Sequence, residues 1–140
     1  MELLVVIAII GILASVVLAS LNTARAKGGD AAIKANLANI RAQAEILYDT
    51  NSNYTGVCTT NSTVMNQVTA AATAAGIAAT SSAIATAGSA TTAVCHESAA
   101  AWAANSPLKS VSANSWCVDS TGASKLVTAA YLGANALVCP

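Results

Sequence analysis

The hydrophobic positions are very unevenly distributed along the chain. No residue from Leu3 to Ala19 is charged, and this apolar run is nearly as long as the roughly 20 residues of a membrane-spanning helix. A single carboxylate, Glu2, lies at its edge, where a charge is unfavourable unless it is solvated or paired. Residues 1–24 are therefore predicted to form an apolar helix that lies in lipid or in the centre of a bundle.

Residues 25–50 have the pattern of an amphipathic helix. Apolar residues recur at intervals of four and three, which places them on one stripe: Ile33, Leu37, Ile40, Ala44 and Leu47. Asp30 precedes Lys34 by four residues, and Arg41 precedes Glu45 by four, spacings at which opposite charges lie on neighbouring turns. We predict one helix over residues 2–50, about 75 Å long, with its stripe packed on a small domain.

Two glycines lie between the halves of this helix. Each costs roughly 1 kcal/mol relative to Ala, so Gly28-Gly29 is compatible with a bend or local melting. An uninterrupted helix held by packing on both sides is the alternative.

After Asn51-Ser52-Asn53, which should stop the helix, the pattern is weaker. Residues 51–97 are predicted to be a variable connecting region, because residues 59–93 are mostly Ala, Thr, Ser and Gly. It should run over the surface, with one short helix at Thr69–Ala79. Strand patterns come later, at Ala99–Ala104, Ser115–Asp119 and Lys125–Tyr131. We predict an α+β fold in which the long helix packs on a small antiparallel sheet of three or four strands, formed by residues 98–140.

The composition of the C-terminal part indicates a thin hydrophobic core. Phe is absent, much of the 55% hydrophobic content is Ala, and small domains with thin cores usually need cross-links. Four dispersed cysteines without a CxxC pair favour two disulfides in an exported domain over a zinc site. Of the three possible pairings we favour Cys58–Cys95 and Cys117–Cys139, because each closes one local region.

The sequence offers little that predicts catalysis or ligand binding. Net charge is zero and 9% of residues are charged, which argues against nucleic-acid binding as a main activity. His96 is the one histidine, and we expect it to be solvated in a loop. Asp119 is the one acid after Glu97, which disfavours a calcium loop. We predict no enzymatic activity, no cofactor and no metal.

Thirteen consecutive residues suggest a family. The segment Glu2-Leu3-Leu4-Val5-Val6-Ile7-Ala8-Ile9-Ile10-Gly11-Ile12-Leu13-Ala14 resembles the N-terminal helix of type IV pilins and of the related type II secretion pseudopilins. The likeness extends over about the first fifty residues if the amphipathic stretch is included. It implies a subunit that is anchored in the cytoplasmic membrane and then polymerises into a cell-surface filament.

The resemblance also implies which residues and partners matter. Glu2 would neutralise the N-terminal amine of a neighbouring subunit. The filament core would be formed by further residues of the same helix: Leu3, Val6, Ile7, Ile10, Gly11, Leu13 and Val17. The implied partners are other copies of the chain, the inner-membrane pilus assembly machinery, and membrane lipid before assembly. The implied roles are adhesion, motility or DNA uptake.

Two departures from the pilin pattern affect these expectations. Pilin precursors have a short basic leader, whereas Arg25, Lys27 and Lys34 all follow the apolar run. We therefore expect a basic segment upstream, lost through processing or a misplaced start. Ala19 stands where many pilins have a kinking Pro.

Other functions remain open. They are a pseudopilin of a secretion-like apparatus and a signal-anchored exported binding domain that does not polymerise. A secreted domain cleaved at Ala24-Arg25-Ala26 is disfavoured, because no basic residue precedes the apolar run and Glu2 lies at its start.

Overall fold

One unbroken helix begins the chain. The computed structural model describes residues 2–140, without the side chain of Glu2, and its first element is α1 (Glu2–Asn51). Local melting at the two glycines is not seen, since the helix is continuous there. A Cβ on Gly29 would lie 2.7 Å from Lys109 Cδ and 3.1 Å from the carbonyl oxygen of Ala74. The missing side chain therefore lets the rest of the molecule approach the helix closely.

A second helix follows where the sequence predicted a surface segment. Helix α2 (Ser62–Ala75) begins at Asn61, whose side-chain oxygen accepts the backbone N–H groups of Thr63 and Val64, and ends at Gly76 with φ 86°. The predicted helix at Thr69–Ala79 thus started too late, because the Asn61 cap was not used in the prediction. Its apolar face is buried against α1, so the expectation of a surface excursion is wrong: Val64, Val68, Ala71 and Ala72 are buried.

The sheet has five strands: β1 (Ala79–Ser81), β2 (Thr92–Glu97), β3 (Trp102–Pro107), β4 (Ser115–Asp119) and β5 (Ser124–Val127). They lie in sequence order, and β1 pairs with β2 in parallel while all other pairs are antiparallel. The α+β prediction is confirmed, but the sheet is mixed and larger than predicted. Both additional strands come from residues 51–97, where the composition gave no strand pattern.

The main hydrophobic core lies between the helices and the inner face of the sheet. Four residues of the predicted stripe are fully buried there and Leu47 is half-buried: Ile33, Leu37, Ile40 and Ala44. Strands β3 and β4 contribute Trp102 and Val118 from the opposite side. As predicted for β4, Trp116 and Val118 share one face and Cys117 lies on the other, and it is the face of Trp116 and Val118 that packs on the helices.

A smaller core covers the outer face of the sheet. Strands β2 to β5 and the C-terminal segment, residues 128–140, form it, with Val94, Leu132 and Cys139 among its buried residues. A second segment without regular structure, the 82–91 loop, lies beside the C-terminal segment. They are bonded to each other, since Gly88 N–H donates to the Leu132 carbonyl (2.9 Å) and Asn135 N–H to the Ile84 carbonyl (2.6 Å).

One disulfide lies on each side of the sheet. Cys58–Cys95 lies in the inner core and joins the segment after α1 to β2, while Cys117–Cys139 joins the C-terminal segment to β4 in the outer core. These are the two pairings that the sequence favoured.

Candidate assembly helix and its junction with the head

The first half of α1 projects away from the rest of the molecule. Every residue from Leu3 to Arg25 is exposed, and Ala26 is the first that is half-buried. We call residues 3–24 the assembly helix and residues 52–140 the head. At 1.5 Å per residue the assembly helix extends about 33 Å beyond the junction. Within residues 2–140, Leu3–Asn51 is the one helix long and apolar enough to cross a membrane, so it can serve as an anchor.

The assembly helix is apolar on all sides. Thirteen large apolar side chains between Leu3 and Leu21 are at least 44% exposed. At about 1.5–3 kcal/mol for each complete burial, leaving them in water would cost on the order of 20 kcal/mol or more. Such a helix requires an apolar environment.

Two hydroxyl groups of the assembly helix are bonded within the helix itself. Ser15 donates its hydroxyl to the Ile12 carbonyl (2.8 Å), and Thr23 donates to the Ala19 carbonyl (3.2 Å). Internal satisfaction of polar groups is the condition for placing a helix in lipid or in a dry bundle.

The residues that the family resemblance selected for assembly share one face. At 100° per residue, six of them fall within about 120° of the helix circumference, and all six are exposed: Leu3, Val6, Ile7, Ile10, Leu13 and Val17. A Cβ on Gly11 would meet no atom within 4 Å, so this chain by itself gives no steric reason for the glycine. Met1 and the Glu2 side chain lie outside the described residues, so the predicted pairing of Glu2 stays a prediction.

The junction between α1 and the head is held by polar contacts beside the buried stripe. The Asp30 carboxylate accepts the backbone N–H groups of Lys109 (2.7 Å) and Ser110 (3.1 Å), and the Ser110 hydroxyl as well. Further along the helix, Lys34 Nζ lies 4.5 Å from the ring centroid of Trp116, a cation–π distance.

The next turns of α1 make similar contacts. Arg41 Nη2 donates to the Gly122 carbonyl (2.9 Å), and the Tyr54 hydroxyl donates to Glu45 Oε1 (3.0 Å). Burial, together with the neighbouring Glu45 carboxylate, raises the pKa of Tyr54. The charges that the sequence placed four residues apart on α1 are therefore used to fix the orientation of the head on the helix.

A half-buried acidic side chain secures the chain just after α1. Glu97, at the end of β2, accepts the backbone N–H groups of Gly56 (3.0 Å) and Cys58 and the Thr59 hydroxyl (2.6 Å). The adjacent Cys58–Cys95 bond holds the same place covalently. The end of the long helix is thereby tied to the sheet twice.

The residues that could have suggested chemistry have structural contacts instead. His96 was expected to be solvated, but it lies in β2 and is fully buried, because the two outer segments fold over it. Sequence reasoning missed this, since those segments have no periodic pattern. Among residues 2–140 no three His, Cys, Asp or Glu side chains are grouped as metal ligands would be.

Asp119 anchors the C-terminal segment. Its carboxylate accepts N–H groups of Thr121 (2.9 Å), Ala123 (3.1 Å) and Cys139 (2.8 Å), and the Thr121 hydroxyl (2.6 Å). Burial by itself raises the pKa of this carboxyl, but these hydrogen bonds together lower the pKa below its ordinary value of 3.8. The carboxylate is therefore a structural anion.

No protein-family model, curated protein or solved structure matches this chain. The likeness to pilins therefore depends on the residues of α1 quoted above. Any function has to be argued from the assembly helix and the head.

Proposed function

We propose that this chain is the major structural subunit of a type IV pilus, a helical filament on the cell surface. The observation that supports it most is the division of α1. Its first half is exposed and apolar all round, while its second half is fastened to a cross-linked head. Assembly of copies with this shape would place the apolar half inside the polymer and the head outside.

In the proposed mechanism the assembly helix occupies two apolar environments in succession. Before assembly it lies in the cytoplasmic membrane, and the head folds and forms its disulfides on the oxidising side. On assembly the helices leave the lipid and bundle together. The exchange replaces lipid contacts by helix–helix contacts, so the apolar side chains never need to face water.

Assembly of identical copies into a fibre requires a contact that does not close into a ring. A head-to-tail contact between two different patches of the subunit has this property and generates a helical filament. The Glu2 carboxylate is proposed to pair with a neighbour's N-terminal amine, because a charge within an apolar bundle is strongly unfavourable without a partner. The pair would fix the axial position of each incoming subunit. The inner-membrane assembly machinery is the proposed second partner.

The rigid junction supports the proposal. Asp30, Lys34 and Arg41 each contact the head outside the buried stripe, so the head cannot rotate freely about α1. A fixed orientation lets every copy present the same surfaces to its neighbours. The chain is proposed to act through assembly and not as an enzyme.

Electron microscopy of material sheared from producing cells tests this proposal. The comparison is between the full chain and a form lacking residues 1–24, with the head disulfides checked in both. The proposal predicts fibres from the full chain and a soluble, non-assembling head from the truncated form. Fibres of native width from the truncated form would show that the head makes the assembly contacts. Membrane-bound chain without any fibre would favour the non-polymerising anchored domain.

A further inference from the structure

His96 joins two separate segments to the sheet. Its side chain is fully buried at the outer face of β2. Ring atom Nδ1 lies 2.9 Å from the Ala136 carbonyl oxygen, and Nε2 lies 2.8 Å from the Thr86 carbonyl oxygen. One partner belongs to the C-terminal segment and the other to the 82–91 loop. A single imidazole therefore contacts both segments, which together we call the outer layer of the head.

The two partners restrict the protonation state of the ring. A backbone carbonyl can only accept a hydrogen bond, and a neutral imidazole has one N–H and one nitrogen lone pair. The doubly protonated ring donates to both carbonyls. The neutral ring donates to one and leaves a buried lone pair facing the other oxygen, and a buried polar group without a partner is unfavourable.

An opposite charge lies in the same row of the sheet. His96 is paired with Ala103 on β3, and Ala103 with Asp119 on β4, so all three residues share the outer face. Two strand spacings separate the charged residues by about 10 Å, and the residue between them has only a methyl group. The Asp119 carboxylate accepts Cys139 N–H, three residues after the carbonyl that His96 contacts.

Three other ionisable groups belong to the sheet or to the segments that cover it. Glu97, next to His96 on β2, accepts N–H groups on the inner face. Lys125 on β5 is paired with Cys117 and so belongs to the outer face, but it is three strands from His96 and its side chain is exposed at the edge of the sheet. Tyr131 donates its hydroxyl to the Ser112 carbonyl. The 82–91 loop has no ionisable side chain. Asp119 is therefore the buried charge that shares the outer face with His96.

We propose that His96 and Asp119 form a proton-dependent clasp on the outer layer of the head. The clasp is closed when the imidazole is doubly protonated and the carboxylate is ionised. Loss of the second imidazole proton removes one of the two His96 bonds and loosens the 82–91 loop and residues 132–137. The Cys117–Cys139 bond keeps the end of the chain attached, so the opening is local. The clasp does not depend on filament formation.

Nuclear magnetic resonance of the full chain in detergent micelles tests this inference between about pH 5 and pH 8. Because the chain has one histidine, the two ring nitrogen signals are unambiguous. Amide-exchange protection of the outer layer is measured in the same samples, with the amides of α2 as the internal control. The variant His96→Gln, whose side chain does not titrate, is the matched control.

The clasp predicts that outer-layer protection falls about tenfold or more as the ring loses its second proton, the expected effect of losing a hydrogen bond from a charged donor. The loss of outer-layer protection and the loss of the ring proton should have the same pH midpoint, and the protection of the α2 amides should stay constant. In His96→Gln the outer layer should show no such pH dependence. If that variant fails to fold, the two pH midpoints of the wild-type chain decide: the ring and the outer-layer amides must share one midpoint for the clasp to stand. Outer-layer protection that does not change while the ring titrates would overturn the clasp, as would an identical pH dependence in His96→Gln.

Discussion

Truncation of Leu37 tests whether the amphipathic half of α1 is held to the head by its buried stripe. Leu37 is fully buried between α1, α2 and the sheet, whereas Ile46, on the same helix, is 59% exposed. Leu→Ala at a buried site removes apolar contacts and leaves a cavity, which costs about 2.7–5.0 kcal/mol in a well-studied series. Ile46→Ala should change the free energy of unfolding by no more than about 0.5 kcal/mol, since it opens no cavity and Ala favours the helix.

The assay is urea unfolding of the full chain in a mild detergent, followed by the fluorescence of Trp102 and Trp116, which both lie in the head. With a urea dependence of about 1–3 kcal/mol per M, a loss of about 3 kcal/mol lowers the midpoint by about 1–3 M. The two disulfides must be intact in both variants. Equal midpoints for Leu37→Ala and Ile46→Ala would refute the reasoning, because the stripe would then contribute no more than an exposed position.

Three further predictions concern the cross-links, the tip of the helix and acid stability. Peptide mapping without reduction should recover both disulfides, and four free thiols would contradict an exported head. Replacing either cysteine pair by serine should lower the free energy of unfolding by about 3–4 kcal/mol, because the bonds close loops of 37 and 22 residues. Glu2→Gln and Glu2→Ala should reduce filament yield at matched membrane levels with insertion and disulfides unchanged, and an undiminished yield would remove the assembly role of Glu2. Because the pKa of Asp119 is lowered on folding, its stabilisation is present above about pH 4 and disappears as the pH falls through the folded pKa. Asp119→Asn should therefore have a flatter acid limb in urea midpoints from about pH 4 to pH 2, and identical acid limbs would count against the Asp119 anchor.

The long helix was predictable because its signals are local and repeated. The stripe from Ile33 to Ala44 follows helical spacing and is buried as expected. Strand β4 was placed correctly because Trp116 and Val118 alternate with Cys117. By contrast, β3 begins at Trp102, where Ala99–Ala104 was predicted, since alanine gives no clear strand boundary. Strand β5 ends at Val127, although a strand was predicted over Lys125–Tyr131, and the backbone turns at Ala129 with φ 53°.

The outer layer of the head was not predictable from the sequence. The 82–91 loop and the C-terminal segment have no periodicity, and their position depends on tertiary contacts such as those of His96 and Asp119. Strand β1 was missed because it has only Ala, Thr and Ser, and β2 because it follows a stretch of small residues without a strand pattern. Asp30 and Arg41 could be predicted to be on the helix surface, but not that they would bond to Lys109 and Gly122. Contacts between residues about 80 positions apart leave no local pattern.

The central claim is that the assembly helix forms the core of a polymer. Cryo-electron microscopy of sheared filaments measures this directly, through the radial position of residues 3–21 in the reconstructed fibre. The account predicts that these residues lie at the filament axis in contact with neighbouring copies, with the heads outside. A fibre whose axis is formed by heads, or with residues 3–21 at its periphery, would contradict it.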